Sequence, residues 1–356
     1  MIDELEALVA VESPSADDAA TEACARLVDD LFLEHLGTRG SWLAEGTRGH
    51  LLWSGGGPTT VLLLGHVDTV WPFGTTSRWP FTVTDGRASG PGAFDMKAGL
   101  VQGIHALREL DDLNGVAFLV TTDEEVGSPT SRALIEQCAA GARAALVLEP
   151  SADAALKSAR KGVSVYELVV HGRAAHAGLE PERGANAAVE LAHQVLAVLD
   201  LADVPLGTTV TPTLCSAGTT TNTVPAAGRV AIDVRAAEPA EQQRVDDALH
   251  RLVARTPGTS LELRGGPNRP PLPATSSAEL LARARRIADE LHLPPLADVA
   301  VGGGSDGNFT AGIGIPTLDG LGAVGAGAHA EGEYVVVAAM PQRVALVGGL
   351  VRELLS

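Results

Sequence analysis

Apolar residues near the start of the chain recur at helical spacing. Leu27, Val28, Leu31, Phe32 and Leu36 share one face, so residues 16–36 are predicted to be helical, and the first 40 residues read as helix overall. Ser15 is placed to cap that helix, with Asp17 and Asp18 in its first turn, where the dipole favours negative charge. The pattern then changes to short unbroken apolar runs at 61–64, 116–120 and 144–148, separated by helical stretches at 97–110 and 131–140. Runs of that length without polar alternation suit strands covered on both faces, as in a parallel sheet flanked by helices.

Between about 163 and 263 the strands alternate more clearly, at 163–170 and 229–235, with helices expected at 186–199 and 240–254. Strand–helix–strand–strand–helix–strand describes a small α+β sandwich inserted into a larger domain. The Pro-rich stretch 267–273 reads as the return hinge. The expected fold is α/β, a mostly parallel sheet covered by helices. Its first domain spans 1–162, the inserted α+β domain 163–268, and the first domain resumes over 269–356.

Composition narrows the function classes. A chain of 356 residues that is 45% hydrophobic can bury a large core and form more than one domain. Its net charge of −18 argues against a nucleic-acid partner, which needs a basic footprint. Cys24, Cys138 and Cys215 are widely spaced and odd in number, so neither a disulfide framework nor a CxxC zinc site is expected, and a reducing compartment suits them. The opening residues are acidic, and no stretch reaches the roughly 18 apolar residues of a spanning helix, so a cytoplasmic protein without a membrane partner is expected.

Each apolar run ends in ligand-type residues: Gly65-His66-Val67-Asp68, Thr122-Asp123-Glu124-Glu125, and Glu149. Ligands of open parallel sheets bind just beyond the carboxyl ends of strands, so these side chains converge on one edge. His66 and Asp68, two apart in an extended segment, point to one face, and Asp68 is placed to hold the second ring N–H of His66. Taken alone, the pair reads as a strand-end histidine and a turn aspartate. Adjacent Glu124 and Glu125 repel each other and alone suggest a solvated turn; beside dications one can bind metal while the other handles a proton. Asp95 is equally a helix N-cap or a carboxylate shared between two metals.

These motifs, together with Gly92-Ala93-Phe94-Asp95-Met96-Lys97-Ala98-Gly99, Glu149-Pro150-Ser151, Gly172-Arg173-Ala174-Ala175-His176-Ala177-Gly178 and His329, resemble the dizinc aminoacylase and carboxypeptidase family over nearly the whole chain. That family includes acetylornithine deacetylase, succinyl-diaminopimelate desuccinylase and bacterial glutamate carboxypeptidase. Asp95-Met96 and Glu149-Pro150 resemble most the glutamate carboxypeptidase branch. The resemblance implies two Zn²⁺ per subunit, with Co²⁺ or Mn²⁺ as possible substitutes. His66 and Glu149 would hold one ion, Glu125 and His329 the other, and Asp95 would bridge them. It also implies Glu124 as general base, Asp68 as the group orienting His66, and a cis peptide at Asp95–Met96. Glu331 departs from the aspartate or serine expected there and is assigned no role.

The same resemblance implies a homodimer through the inserted domain, in which His176 of one subunit steadies the oxyanion in the other's site. It further implies that Asn222, Arg235 and Lys157 grip the substrate carboxylate, with Gly303 offering a backbone N–H from the 302–306 loop. The expected reaction is amide hydrolysis of a small molecule, a peptide or an N-acyl amino acid. The principal expectation is release of a C-terminal amino acid; the alternative is N-acyl-amino-acid deacylation. An inactivated scaffold would have lost Glu124 or a ligand, and a dinucleotide binder would need a GxGxxG after its first strand; neither fits this sequence.

Overall fold

A computed structural model describes residues 1–46 and 48–356. It separates into two units: Met1–Arg160 with Leu272–Val301 and Ser305–Ser356, and Lys161–Pro271 with Gly302–Gly304.

The larger unit is built on a sheet whose strands lie in the order Ser41–Glu45, Arg48–Ser54, Val116–Thr121, Val61–His66, Ala144–Val147, Thr317–Leu318. Val61–His66 runs parallel to both of its neighbours, while Arg48–Ser54 and Ser41–Glu45 add an antiparallel edge. Every residue of the three central strands is buried, and period-two alternation explains why they read as unbroken apolar runs. Val61, Leu63, Phe118 and Leu146 pack on one face against Phe32, Leu100 and Leu350. Leu62, Leu64, Ala117 and Leu119 pack on the other, against Ile135, Ala139 and Phe309. Both faces are core, and each fully buried Leu or Phe contributes about 1.5–3 kcal/mol.

The N-terminal helical region is two helices, Ile2–Ala10 and Asp18–Leu36. Asp17, not Ser15, caps the second, accepting the Ala20 N–H at 2.9 Å. Ser15 instead donates its hydroxyl to Asp68 at 2.7 Å. Lys97, almost fully buried, donates to the Leu8 and Val11 carbonyls, 2.9 Å each, and so satisfies the C-terminal end of the first helix. The helix Ala98–Arg108 packs beneath the sheet through Gly99, where a Cβ would lie 2.1 Å from the Leu148 carbonyl oxygen.

The smaller unit has a four-stranded antiparallel sheet ordered Thr209–Ala217, Ala227–Ala236, Gly162–His171, Ser260–Arg269. Alternate residues Tyr166, Leu168, Val170, Val230, Ile232 and Val234 form its core with Leu191 and Val198 of helix Ala187–Leu199 and Val245 and Leu249 of Pro239–His250. Asn186 caps the first of these helices, accepting the Ala188 and Val189 N–H groups. Among the described residues, no helix is long and apolar enough to cross a membrane.

Candidate metal centre

All five side chains expected as ligands lie in the larger unit. His66 closes the Val61–His66 strand, Glu149 follows Ala144–Val147, and Glu124 and Glu125 open a 3₁₀ turn beyond Val116–Thr121. Asp95 sits at a kink before Ala98–Arg108, where the Asp95–Met96 peptide is cis, and no side-chain cap bond is made at this helix start. His329 occupies a turn after the short strand Gly325–Ala326, in the left-handed region at φ 62°. That conformation costs a side-chain-bearing residue about 1–3 kcal/mol and persists only where surroundings impose it.

Ligand-type atoms from these residues gather into two groups that share Asp95: His66, Asp95 and Glu149, and Asp95, Glu125 and His329. His66 Nε2 is 3.5 Å from Asp95 Oδ1 and 3.4 Å from Glu149 Oε1. His329 Nε2 is 3.4 Å from Asp95 Oδ2 and 3.0 Å from Glu125 Oε2. The two oxygens of one carboxylate thus face two different histidines. Ligand atoms about 2.0–2.1 Å from a tetrahedral ion stand roughly 3.3 Å apart, so the 3.4 and 3.5 Å separations suit shared coordination, while His329 and Glu125 also stand at hydrogen-bonding distance. His66 Nε2 and Asp95 Oδ1 are buried without a hydrogen-bond partner, so a cation between them satisfies both.

The electrostatics agree. Burial opposes charge on His66, yet Asp68, Asp95 and Glu149 push its pKa well above the usual imidazole value. Hydrogen bonds that the His329 ring N–H donates to Asp95 and Glu125 raise the His329 pKa to about 10. Burial alone would raise Asp95, but His329 and His66 hold it well below the ordinary carboxylate range. Three carboxylates in so small a space attract positive charge strongly. Dications would offset them, and a nitrogen–oxygen donor set without sulfur suits zinc.

The surrounding residues hold this group in place. His66 Nδ1 pairs with the backbone carbonyl of Asp68 at 2.9 Å, while the Asp68 carboxylate is 3.5 Å from that nitrogen. The carboxylate instead accepts the backbone N–H groups of Glu124 and Glu125, 3.1 Å each. Asp123 accepts from Thr130 and Ser131, and Asp306 from Thr121 and Ser128, pinning both sides of the Glu124–Glu125 turn. Arg160, 4% exposed, forks onto Asp319 at 2.7 and 2.8 Å and reaches Glu149 Oε2 at 3.1 Å. Lys157 Nζ lies 3.9 Å from the same Glu149 oxygen. Arg160 and Asp319 escape the motif reading. The available signal was positional: Arg160 falls on the buried side of the alternating strand Leu156–Arg160, where an unpaired cation would be intolerable.

His176, Asn222, Arg235 and Gly303 belong to the smaller unit. The structure brings the first two together: Ala177 N–H donates to the Asn222 carbonyl at 2.9 Å, and His176 bridges Thr223. His176 is exposed, and its Nδ1 accepts from Gly178 and Leu179, so the ring proton sits on Nε2 and points a donor outward. Arg235 is half-buried and forks onto Asp233, Nε to Oδ1 and Nη2 to Oδ2 at 2.9 Å each. Gly303 is exposed.

Carboxypeptidase G2 of Pseudomonas sp. (strain RS-16) is 30% identical over 99% of this chain and 89% of its own length. Acetylornithine deacetylase of Proteus mirabilis (strain HI4320) is 30% identical over 69% of this chain and 70% of its own. The fold matches the M20 metallo-carboxypeptidase Sso-CP2 of Sulfolobus solfataricus with a TM-score of 0.78 at 17% identity, covering 99% of each chain. It also matches the Bacillus subtilis YXEP protein, described as a dinuclear metal-binding peptidase, with a TM-score of 0.67 at 15% identity over 100% and 97%. The sequence pattern of peptidase family M20/M25/M40 spans residues 62–353. The chain belongs to that family of metal-dependent hydrolases.

Proposed function

We propose that this hydrolase cleaves an amide or peptide bond to release a C-terminal amino acid, in the manner of a glutamate carboxypeptidase. The observation that carries this reading is the pair of ligand groups sharing Asp95, with Glu124 beside them on the Glu125 turn. His66 and Glu149 would hold one Zn²⁺, Glu125 and His329 the other, and Asp95 would bridge. When bound, the ions supply Lewis acidity and lower the pKa of water towards neutral.

Within this scheme Glu124 takes a proton from the attacking water and returns it to the leaving nitrogen. Asp68 fixes the turn that aims Glu124. His176 donates its Nε2–H to the developing oxyanion, supplied in trans by a homodimer. Exposed Val189, Leu196 and Leu199 on helix Ala187–Leu199 support a dimer face there. Asn222, Arg235, Lys157 and the Gly303 backbone bind the substrate carboxylate. Arg235 must then share or leave its fork on Asp233. Cys24, Cys138 and Cys215 are free thiols, which supports a cytoplasmic location.

The test is turnover of zinc-restored enzyme on dipeptides ending in Glu against a panel of N-acyl amino acids. Faster hydrolysis of the dipeptides supports the carboxypeptidase reading. The reverse supports the deacylase alternative, which the similarity to acetylornithine deacetylase favours. Glu124→Gln should retain its metal and lose at least about 100-fold in kcat, the usual contribution of general base catalysis. Wild-type turnover by that variant would refute the base assignment.

A further inference from the structure

Three helices of the larger unit carry ligand-type side chains to a second place, made of none of the residues discussed above. Glu4 lies in the first turn of Ile2–Ala10, His35 in the last turn of Asp18–Leu36, and His105 in the last turn of Ala98–Arg108. One ligand atom from each lies within 4.8 Å of the other two. Glu4 Oε1 is 2.6 Å from His35 Nε2, and Glu4 Oε2 is 2.7 Å from His105 Nε2. The imidazole ring centroids are 4.6 Å apart, with the rings tilted at 48° to each other.

We propose that Glu4, His35 and His105 form a separate transition-metal site, of the His₂-carboxylate type that takes Zn²⁺, which ties the three helices together. Both histidines present Nε2 to a single carboxylate, so an ion entering between them takes the place of the two Nε2–H hydrogen bonds; each neutral ring then carries its single proton on Nδ1, and only small side-chain shifts are needed. Two helix C-termini bring their negative dipole ends to the spot against the one positive end of Ile2–Ala10, a balance that favours a cation. The side chains are 19% exposed for Glu4, 7% for His35 and 15% for His105, enough for an ion to enter and for water to complete its shell. The overall charge of −18 raises the local concentration of cations. Two cations compete for the place: the Met1 α-ammonium, 3.1 Å from Glu4 Oε2, and Arg108 Nη1, 3.4 Å from His35 Nδ1, whose side chain is exposed and can swing aside.

The role is structural. Residues 4, 35 and 105 come from separate segments, and an ion held by all three stabilises only the folded arrangement. The test uses the full-length protein dialysed against Zn²⁺ and then against metal-free buffer, with bound zinc counted by mass spectrometry. Wild type is expected to hold one more zinc per chain than His35→Gln/His105→Gln, and Zn²⁺ should raise the wild-type Tm further than the variant's. Hydrolytic turnover should be unchanged, because neither histidine belongs to the proposed centre. Glu4→Gln, which keeps the side-chain volume, serves as the second variant should the double one fold poorly, and it should also lose a zinc. Equal zinc content in wild type and Glu4→Gln, or an equal Zn²⁺-dependent Tm shift, overturns the proposal and leaves a hydrogen-bonded staple only.

Discussion

The carboxylate of Asp68 accepts backbone N–H groups from both Glu124 and Glu125, while His66 Nδ1 is held by the Asp68 backbone carbonyl. The two tasks therefore separate on substitution. Asp68→Asn keeps the carbonyl under His66 but turns one acceptor into an NH₂ facing another N–H. Turnover is expected to fall about 10–100-fold while zinc affinity stays within about threefold, measured by kcat and by chelator competition. An equal loss of affinity would place the carboxylate's main task under His66 instead. Arg160 is the second informative residue: Arg160→Met leaves Glu149 and Asp319 without their shared cation. Breaking a buried pair on one side costs about 3–5 kcal/mol, which urea unfolding in chelator should report. Arg160→Met/Asp319→Asn should recover part of it. The five ligand candidates were legible because each stands at an abrupt end of an apolar run or inside a dense Gly-rich motif. Arg160 was not, because Leu156-Lys157-Ser158-Ala159-Arg160 looks like any amphipathic strand, and its partner Asp319 is far along the chain.

Elements were legible to the extent that burial is two-sided. The strands Val61–His66, Val116–Thr121 and Ala144–Val147 contact core on both faces, so their sequences leave little ambiguity. The strands Arg48–Ser54 and Thr209–Ala217 escaped because their side chains are largely exposed or mixed, and sheet pairing rather than pattern makes them strands. Ser15 misled for another reason: its hydroxyl is drawn to Asp68, and the neighbouring Asp17 caps the helix in its place. In the smaller unit, Glu190 shows how a charge fixes an element. Fully buried on helix Ala187–Leu199, it accepts the backbone N–H groups of Arg255 and Thr256 and the Gln194 amide. Burial opposes the charge, but these bonds hold its pKa below the ordinary 4.5. A depressed carboxylate stabilises the fold fully above its unfolded value and loses that contribution as pH falls below it. Glu190→Gln should cost about 1–3 kcal/mol at pH 7, and the gap to wild type should narrow as the pH is lowered below 4.5. Denaturant midpoints at several pH values check this; a constant gap would mean the loss is not one of charge.

At the scale of the whole molecule, the candidate centre is a cross-link. Residues 66, 95, 125, 149 and 329 reach it from segments separated by most of the larger unit's length, and the one carrying His329 follows the smaller unit in the chain. An ion that binds the folded arrangement alone adds about 2.7 kcal/mol of stability at a concentration 100 times its Kd. It also relieves three carboxylates held close together in a chain that already carries a charge of −18. Zinc should therefore raise Tm reversibly, and a chelator should lower it. The size of the effect in variants tests the architecture. Asp95 faces both histidines, whereas Glu149 faces His66 alone. Asp95→Asn should then abolish most of the zinc-dependent rise, and Glu149→Gln should leave the Glu125–His329 share intact. Any contribution from Glu4, His35 and His105 is common to both variants and cancels in the comparison. Calorimetry with and without zinc on the two proteins decides it: if Asp95→Asn loses no more than Glu149→Gln, the shared carboxylate does not join two ions.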